Sequence, residues 1–330
     1  MRPLVSRSLG FSLLVGTGVL LSCRPENLSY ALKVDPPGTS PPVGQALAGY
    51  ARTPSGLYHR SCVHQLPGGA RVDPLTGVVT REDGTIYQDP ACEYAGYPSR
   101  DQPPATPQSL KTSMTAMTVN GYLQSAVAST TLADRYRTLE AYWTVPDAPI
   151  GSYGSPGKVY YTFPGLVSVI HPYTIIYQPV LQYGNSSFYG GAYWTLASWI
   201  CGPVTCWYST VLTALPGDVI HGVAGFYACD AVCITTVAAT NTRTNLSSYM
   251  YGSAYGDPDY ASYAYVSVEA YSINACNDFP ATGVFFSDIS ITKMSGPTTP
   301  SWAAEYMPSP TPSCNYNVTF TNNSVTLFHN

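Results

Sequence analysis

Two polar side chains sit inside apolar β-strands of this sequence, the carboxamide of Gln178 and the carboxyl of Glu269. Gln178 lies in TIIYQPVLQYG (174–184), apolar enough for a buried strand yet holding two carboxamides, Gln178 and Gln182. Side chains on a strand alternate between faces, so Gln178, Val180 and Gln182 point one way and Tyr177, Pro179, Leu181 and Tyr183 the other. An amide buried without partners costs roughly 1–3 kcal/mol. The pair therefore either bonds across the sheet or lines a cleft. Glu269 lies in AYVSVEAYS (264–272), where Tyr265, Ser267 and Tyr271 share its face and Val266, Val268 and Ala270 form the other. A carboxyl in partly apolar surroundings holds its proton more tightly, so it can take a proton from water and return it to a leaving amine. A carboxamide N–H can hold a developing oxyanion, a donor typically worth about 3–4 kcal/mol. If the two strands lie close together on one concave sheet, the two groups meet over a cleft.

Other chemistries find less support. There is no G-x-S-x-G elbow, no H-E-x-x-H helix and no P-loop. The five histidines, His59, His64, His171, His221 and His329, are scattered. The spacings in CGPVTC and CDAVC are not those of zinc knuckles, and YGDPDY (255–260) reads as a turn rather than a calcium loop. No metal and no cofactor is expected. With 10% charged residues and a formal net charge of −4, the chain has no basic face for nucleic acid. Glu140, ahead of AYWTVP, is a further carboxylate near the start of a strand.

The elements that must position these residues are strands. Tyrosine (28 residues), glycine (28) and proline (29) are abundant, and short apolar or alternating runs follow one another between turn signals from about residue 126 onward. An all-β, antiparallel β-sandwich is expected over 126–330. Ahead of it, 50–97 reads as a small β module stapled by Cys62–Cys92, with linkers at 24–49 and 98–125. Arg2, Arg7 and an apolar stretch ending in Leu20-Leu21-Ser22-Cys23 make 1–23 an export signal. Its end resembles a lipobox, with Cys23 lipidated and the protein anchored to the cell envelope; ordinary signal cleavage nearby is the alternative. Export leaves eight cysteines in an oxidising compartment. Sequence proximity pairs them as Cys62–Cys92, Cys201–Cys206, Cys229–Cys233 and Cys276–Cys314. A monomer is expected.

Taken in order, the strands resemble the glutamic peptidases, or eqolisins. The family's F-T-V-P is matched by YWTVP (142–146), W-V-G by FPG (163–165), and I-L-Q-T-G-V-D-F by IYQPVLQY (176–183). YWTLASWI (193–200) stands for the aromatic strand, LTALPGDVI (212–220) for I-x-x-x-G-D-x-I, and AYVSVEAYS for E-W-I-V-E-D-F. The final strands resemble FFSDISITK and SVTLFHN. The resemblance covers roughly 139–330 and extends more distantly to neprosin-type peptidases. It implies an eqolisin or concanavalin A-like jelly roll, endopeptidase activity on unfolded polypeptide at acid pH, and Gln178 with Glu269 as the catalytic pair. It places Phe163, Gln182, Trp194, Trp199, Tyr265 and Tyr271 in the substrate cleft. Gln182, Phe163 and Ser198 stand where the family has Asp, Trp and an acid. The competing reading is a non-catalytic surface module that binds a glycan or peptide, with Tyr193, Trp194, Trp199, Tyr265 and Tyr271 stacking on its ligand.

Overall fold

In a computed structural model of the protein, the residues described are 48–98, 117–131, 133–153, 157–170, 173–227, 232–255 and 261–329. The export signal, Cys23, most of the 24–49 segment and His171 lie outside them. Among the described residues there is no α-helix, and strands carry the fold.

Short strands come first: β1 (Tyr50–Thr53), β2 (Gly56–His59), β3 (Val63–Gln65), β4 (Arg71–Val72), β5 (Val78–Thr80), β6 (Ile86–Gln88) and β7 (Tyr97–Pro98). β8 (Met117–Thr118) leads into β9 (Asn120–Ser129), β10 (Tyr136–Thr144), β11 (Val159–Ile170), β12 (Tyr173–Asn185) and β13 (Gly190–Cys201). Two brief strands, β14 (Cys206–Tyr208) and β15 (Leu212–Ala214), precede β16 (Val219–Tyr227), β17 (Val232–Asn241) and β18 (Leu246–Tyr255). The chain continues through β19 (Tyr263–Tyr271), β20 (Val284–Lys293), β21 (Gly296–Thr298) and β22 (Ala303–Tyr306). It closes with β23 (Pro310–Thr311), β24 (Asn317–Phe320) and β25 (Val325–Phe328).

Two large sheets result. The front sheet runs β22-β9-β19-β11-β12-β13-β14-β3, with β15 also on β13. The back sheet runs β24-β25-β20-β10-β16-β17-β18-β4-β5-β6, with β21 on β20. Their facing sides form an all-β sandwich whose core includes Trp143, Tyr177, Leu181, Trp194, Phe226 and Val237. Each fully buried aliphatic or aromatic side chain of this kind contributes roughly 1.5–3 kcal/mol. Tyr177 meets Phe226 edge-on at 5.3 Å between ring centres. Polar ties also cross between the sheets; in one of them the Ser198 amide and hydroxyl bond to Ser248 at 2.9 and 2.8 Å.

The long strands pair antiparallel, as expected, and the first strands add an arrangement that the sequence did not suggest. β3 pairs parallel with β14 and β4 parallel with β18, so one stretch extends the edges of both sheets. Val72 and Val79 enter the same core as Trp143. β1, β2 and β7 instead form a small sheet of their own. β9 begins at Asn120, within the stretch read as a linker. Cys62–Cys92, Cys201–Cys206 and Cys276–Cys314 are bonded. Cys201 and Cys206 face each other across the β13–β14 hairpin. Cys233 is also disulfide-bonded, and its expected partner Cys229 lies outside the described residues.

Candidate active site

Period-two alternation sends the odd residues of β12 into the sandwich core and Gln178, Val180 and Gln182 to the outer face of the front sheet. Tyr161 and Phe163 of β11, Trp199 of β13, and Tyr265 and Tyr271 of β19 share that outer face and one buried cluster with Val180. Both carboxamides and Glu269 are hidden, at 0%, 0% and 2% exposure. What hides them is the β1–β2 hairpin and its neighbours, for Tyr58 and Val63 belong to the same cluster.

Gln178 is held from two sides. Its Nε2 donates to the Pro54 carbonyl at 3.0 Å and to Ser55 Oγ at 2.8 Å. Its Oε1 accepts from the Tyr265 hydroxyl at 2.9 Å. Tyr265 reaches it by crossing β11 above Gly165, its paired residue. A Cβ there would lie 2.6 Å from the tyrosine hydroxyl, so this crossing needs glycine.

Glu269 lies on the same face in another row. It pairs with Tyr161 of β11, which pairs in turn with Gln182 of β12. One strand therefore separates the strands of Gln178 and Glu269, instead of their being adjacent. Their rows are four residues apart on β19, about 13 Å along the strand. The β1–β2 turn spans this offset. Tyr161 donates to the Arg52 carbonyl at 2.9 Å, and the Tyr271 hydroxyl lies 3.1 Å from the Thr53 carbonyl and 3.3 Å from Glu269 Oε2. A phenol has one hydrogen, so Tyr271 divides it between the hairpin and the carboxyl. Burial pushes the Tyr161 and Tyr271 phenols well above the usual tyrosine range, and the charge of Glu269 adds to both shifts. The Arg52 guanidinium acts on the same two phenols in the opposite sense. Arg52 packs against Gly157, at φ +86°, where a Cβ would strike its guanidinium.

The other expected cleft residues divide. Phe163 packs edge-on against Tyr265 at 5.9 Å, and Trp199 Nε1 donates to the Tyr189 hydroxyl at 2.9 Å. Gln182 spends both amide hydrogens on the Gly184 and Tyr189 carbonyls, fixing the β12–β13 turn. Trp194 is a correction. Five positions from Trp199, it turns to the opposite face and packs in the sandwich core at 5.0 Å from Tyr183. Tyr193 is half-exposed. Glu140 lies away from this face, 3.5 Å from His221 on the back sheet. His59 stacks on Tyr94, and His64 approaches Asp89 at 3.9 Å. Among the described residues no three His, Cys, Asp or Glu side chains converge as a metal site.

Sequence reasoning missed Arg52, Thr53, Pro54, Ser55 and Tyr161. The RTPSG segment docks on a strand more than a hundred residues away, and such docking leaves no local pattern.

No protein-family model matches the sequence, and no curated protein does. Nine chains among the solved structures are similar to this one. One is a Scytalido-glutamic peptidase with a peptide-based transition state analog, at 15% identity and TM-score 0.43. Another is SCP-B, a member of the eqolisin family of peptidases in complex with the tripeptide Ala-Ile-His, at 16% identity and TM-score 0.42. Each of these two alignments covers 64% of this chain and 100% of the other.

Proposed function

We propose that the outer face of the front sheet is the cleft of an exported, acid-acting endopeptidase of the glutamic type. The observation that carries this reading is that polypeptide backbone already lies on the face. Carbonyls of the β1–β2 hairpin take hydrogen bonds from Tyr161 and Gln178, and another sits within reach of Tyr271. Gln178 Nε2 donates to a peptide carbonyl, as required of an oxyanion donor. Glu269, its carboxyl steadied by Tyr271, would draw a proton from water. Acting on the carbonyl that Gln178 holds requires the two side chains to close the offset of about 13 Å between their rows. The substrate would be unfolded polypeptide, since only an extended chain can lay successive carbonyls along the face. The disulfides support export. Anchoring through a lipid on Cys23 belongs to the same proposal: fatty-acid labelling should be lost in Cys23→Ala.

The test is hydrolysis of an unfolded polypeptide from about pH 2 to 7. Turnover should be insensitive to serine-, cysteine- and metal-directed inhibitors and should vanish in Glu269→Gln and in Gln178→Ala, with both variants folded. Full turnover in either variant would refute the assignment. A second reading, a face that binds peptide without cutting it, draws on the offset of Glu269 from Gln178. It predicts peptide binding, weakened in Gln178→Ala, with no cleavage at any pH.

A further inference from the structure

We infer that the β1–β2 hairpin is a tethered lid, an intramolecular ligand that keeps the outer face closed and swings aside without leaving the protein. This rests on the reading of that face as a binding site.

Three observations carry it. First, the hairpin's carbonyls and Ser55 accept the hydrogen bonds of Tyr161 and of Gln178 Nε2, and the Thr53 carbonyl lies within reach of Tyr271. Such an interface tolerates water when it opens, because each protein hydrogen bond can be exchanged for one to solvent. The apolar part of the seam is Tyr58, buried in the cluster of Val180 and Phe163 with Leu57 against it. Its hydroxyl donates to the Gly202 carbonyl at 2.9 Å, so opening must also release these contacts. Second, the small sheet β1-β2-β7 shares no strand pairing with either large sheet. Its backbone ladder can therefore travel intact, as one unit. Third, the chain leaving β2 is fixed almost at once. The single turn Arg60–Cys62 separates β2 from β3, which is paired into the front sheet, and β4 follows into the back sheet. Cys62 in that turn is bonded to Cys92, ahead of β7. The lid thus has a short hinge with strands locked into the sandwich beyond it. A segment meant to be discarded after one cut would not be built into both sheets.

Opening has a chemical consequence at the site. Gln178 regains both amide hydrogens for an incoming carbonyl. Tyr271, released from Thr53, can give its single hydrogen to Glu269. Arg52, which acts on the phenols around Glu269, departs with the hairpin. The closed state therefore occupies the donors that a bound peptide would use.

The experiment places a thiol under the lid. Val180 is fully buried on the outer face between Gln178 and Gln182 and takes no part in the proposed chemistry. In the full-length chain, labelling of Val180→Cys by a thiol reagent is followed by peptide mapping at that position. Adding Ser55→Ala should raise the labelling rate at least about fivefold, and Arg52→Ala with Ser55→Ala about tenfold or more, as hydrogen bonds and packing are lost. The chain should remain a single uncut polypeptide throughout. Ser55→Ala removes one hydroxyl, so it keeps the test valid if the double variant folds poorly. Unchanged labelling in Ser55→Ala, or labelling that appears only after the chain is cut, overturns the lid. Hydrolysis is read in parallel. Faster labelling with no cleavage at any pH leaves the lid standing and removes the peptidase reading, so the two fail separately.

Discussion

His329 gives the sharpest test of how this fold responds to acid. It is 1% exposed, with Nδ1 3.2 Å from Gln124 Nε2, Nε2 3.3 Å from the Tyr160 hydroxyl, and Phe279 4.8 Å away between ring centres. Burial among these groups lowers its pKa from 6.5 to about 3. In the unfolded chain the imidazole takes up its proton near pH 6.5, whereas in the folded protein it stays neutral down to about 3. Protons are therefore bound on unfolding throughout that window, and stability falls as the pH is lowered through it. At 1.36 kcal/mol per pH unit, this one residue removes about 2 kcal/mol between pH 7 and pH 5 and about 4 kcal/mol by pH 3. Urea unfolding of the wild type and of His329→Gln, each at pH 7 and pH 5, isolates the term, because every other group is common to both. The variant should be less stable at pH 7, having lost the packed ring, yet lose about 2 kcal/mol less on going to pH 5. Equal losses in the two proteins would show that the imidazole titrates normally in the fold. The result also bears on the proposed activity, because an acid optimum must be reached against this loss.

Gly165→Ala should push Tyr265 off Gln178 and destabilise the fold by about 1–3 kcal/mol, read as a lower unfolding midpoint; an unchanged midpoint would mean the ring does not cross there. Asp218 accepts from Leu215 N, Asn241 Nδ2 and Arg243, which holds its carboxyl well below the usual range. Asp218→Ala should cost about 2–4 kcal/mol, and equally at pH 7 and pH 5, because a lowered carboxyl contributes its stability above its unfolded pKa near 3.8 and loses it only below. Cys276→Ser with Cys314→Ser opens a bridge of sequence separation 38, and the chain-entropy relation puts the loss at about 4 kcal/mol, measured by thermal or urea unfolding.

Much of the fold was legible because period-two patterns were long. Gln178, Val180 and Gln182 fall on the face that alternation assigns, and the Cys201–Cys206 staple follows from its hairpin. The same rule separates Trp194 from Trp199, an odd spacing that a shared aromatic motif obscures. The offset between Gln178 and Glu269 was not legible, because register depends on how three strands align and not on any one of them. Nor was the docking of β3 and β4, since strands of three and two residues are too short to show a period. The role of Gln178 divides in the same way. Its face could be read from the strand, but its partners Pro54 and Ser55 come from a turn distant in the chain.

The parallel pairing of β3 with β14 and of β4 with β18 also sets a timetable. Val63 waits for Cys206, and Arg71 for Tyr251, so the first strands to be synthesised find their partners among the last two-fifths of the chain. Such distant pairings close slowly, and until they close the early strands remain unpaired edges prone to associate with other chains. If the chain emerges from a translocon N-terminus first, the interval before β18 arrives is when it most needs a holding chaperone. Refolding at rising protein concentration should lose yield first in this early segment, and added peptide spanning 200–255 should protect it.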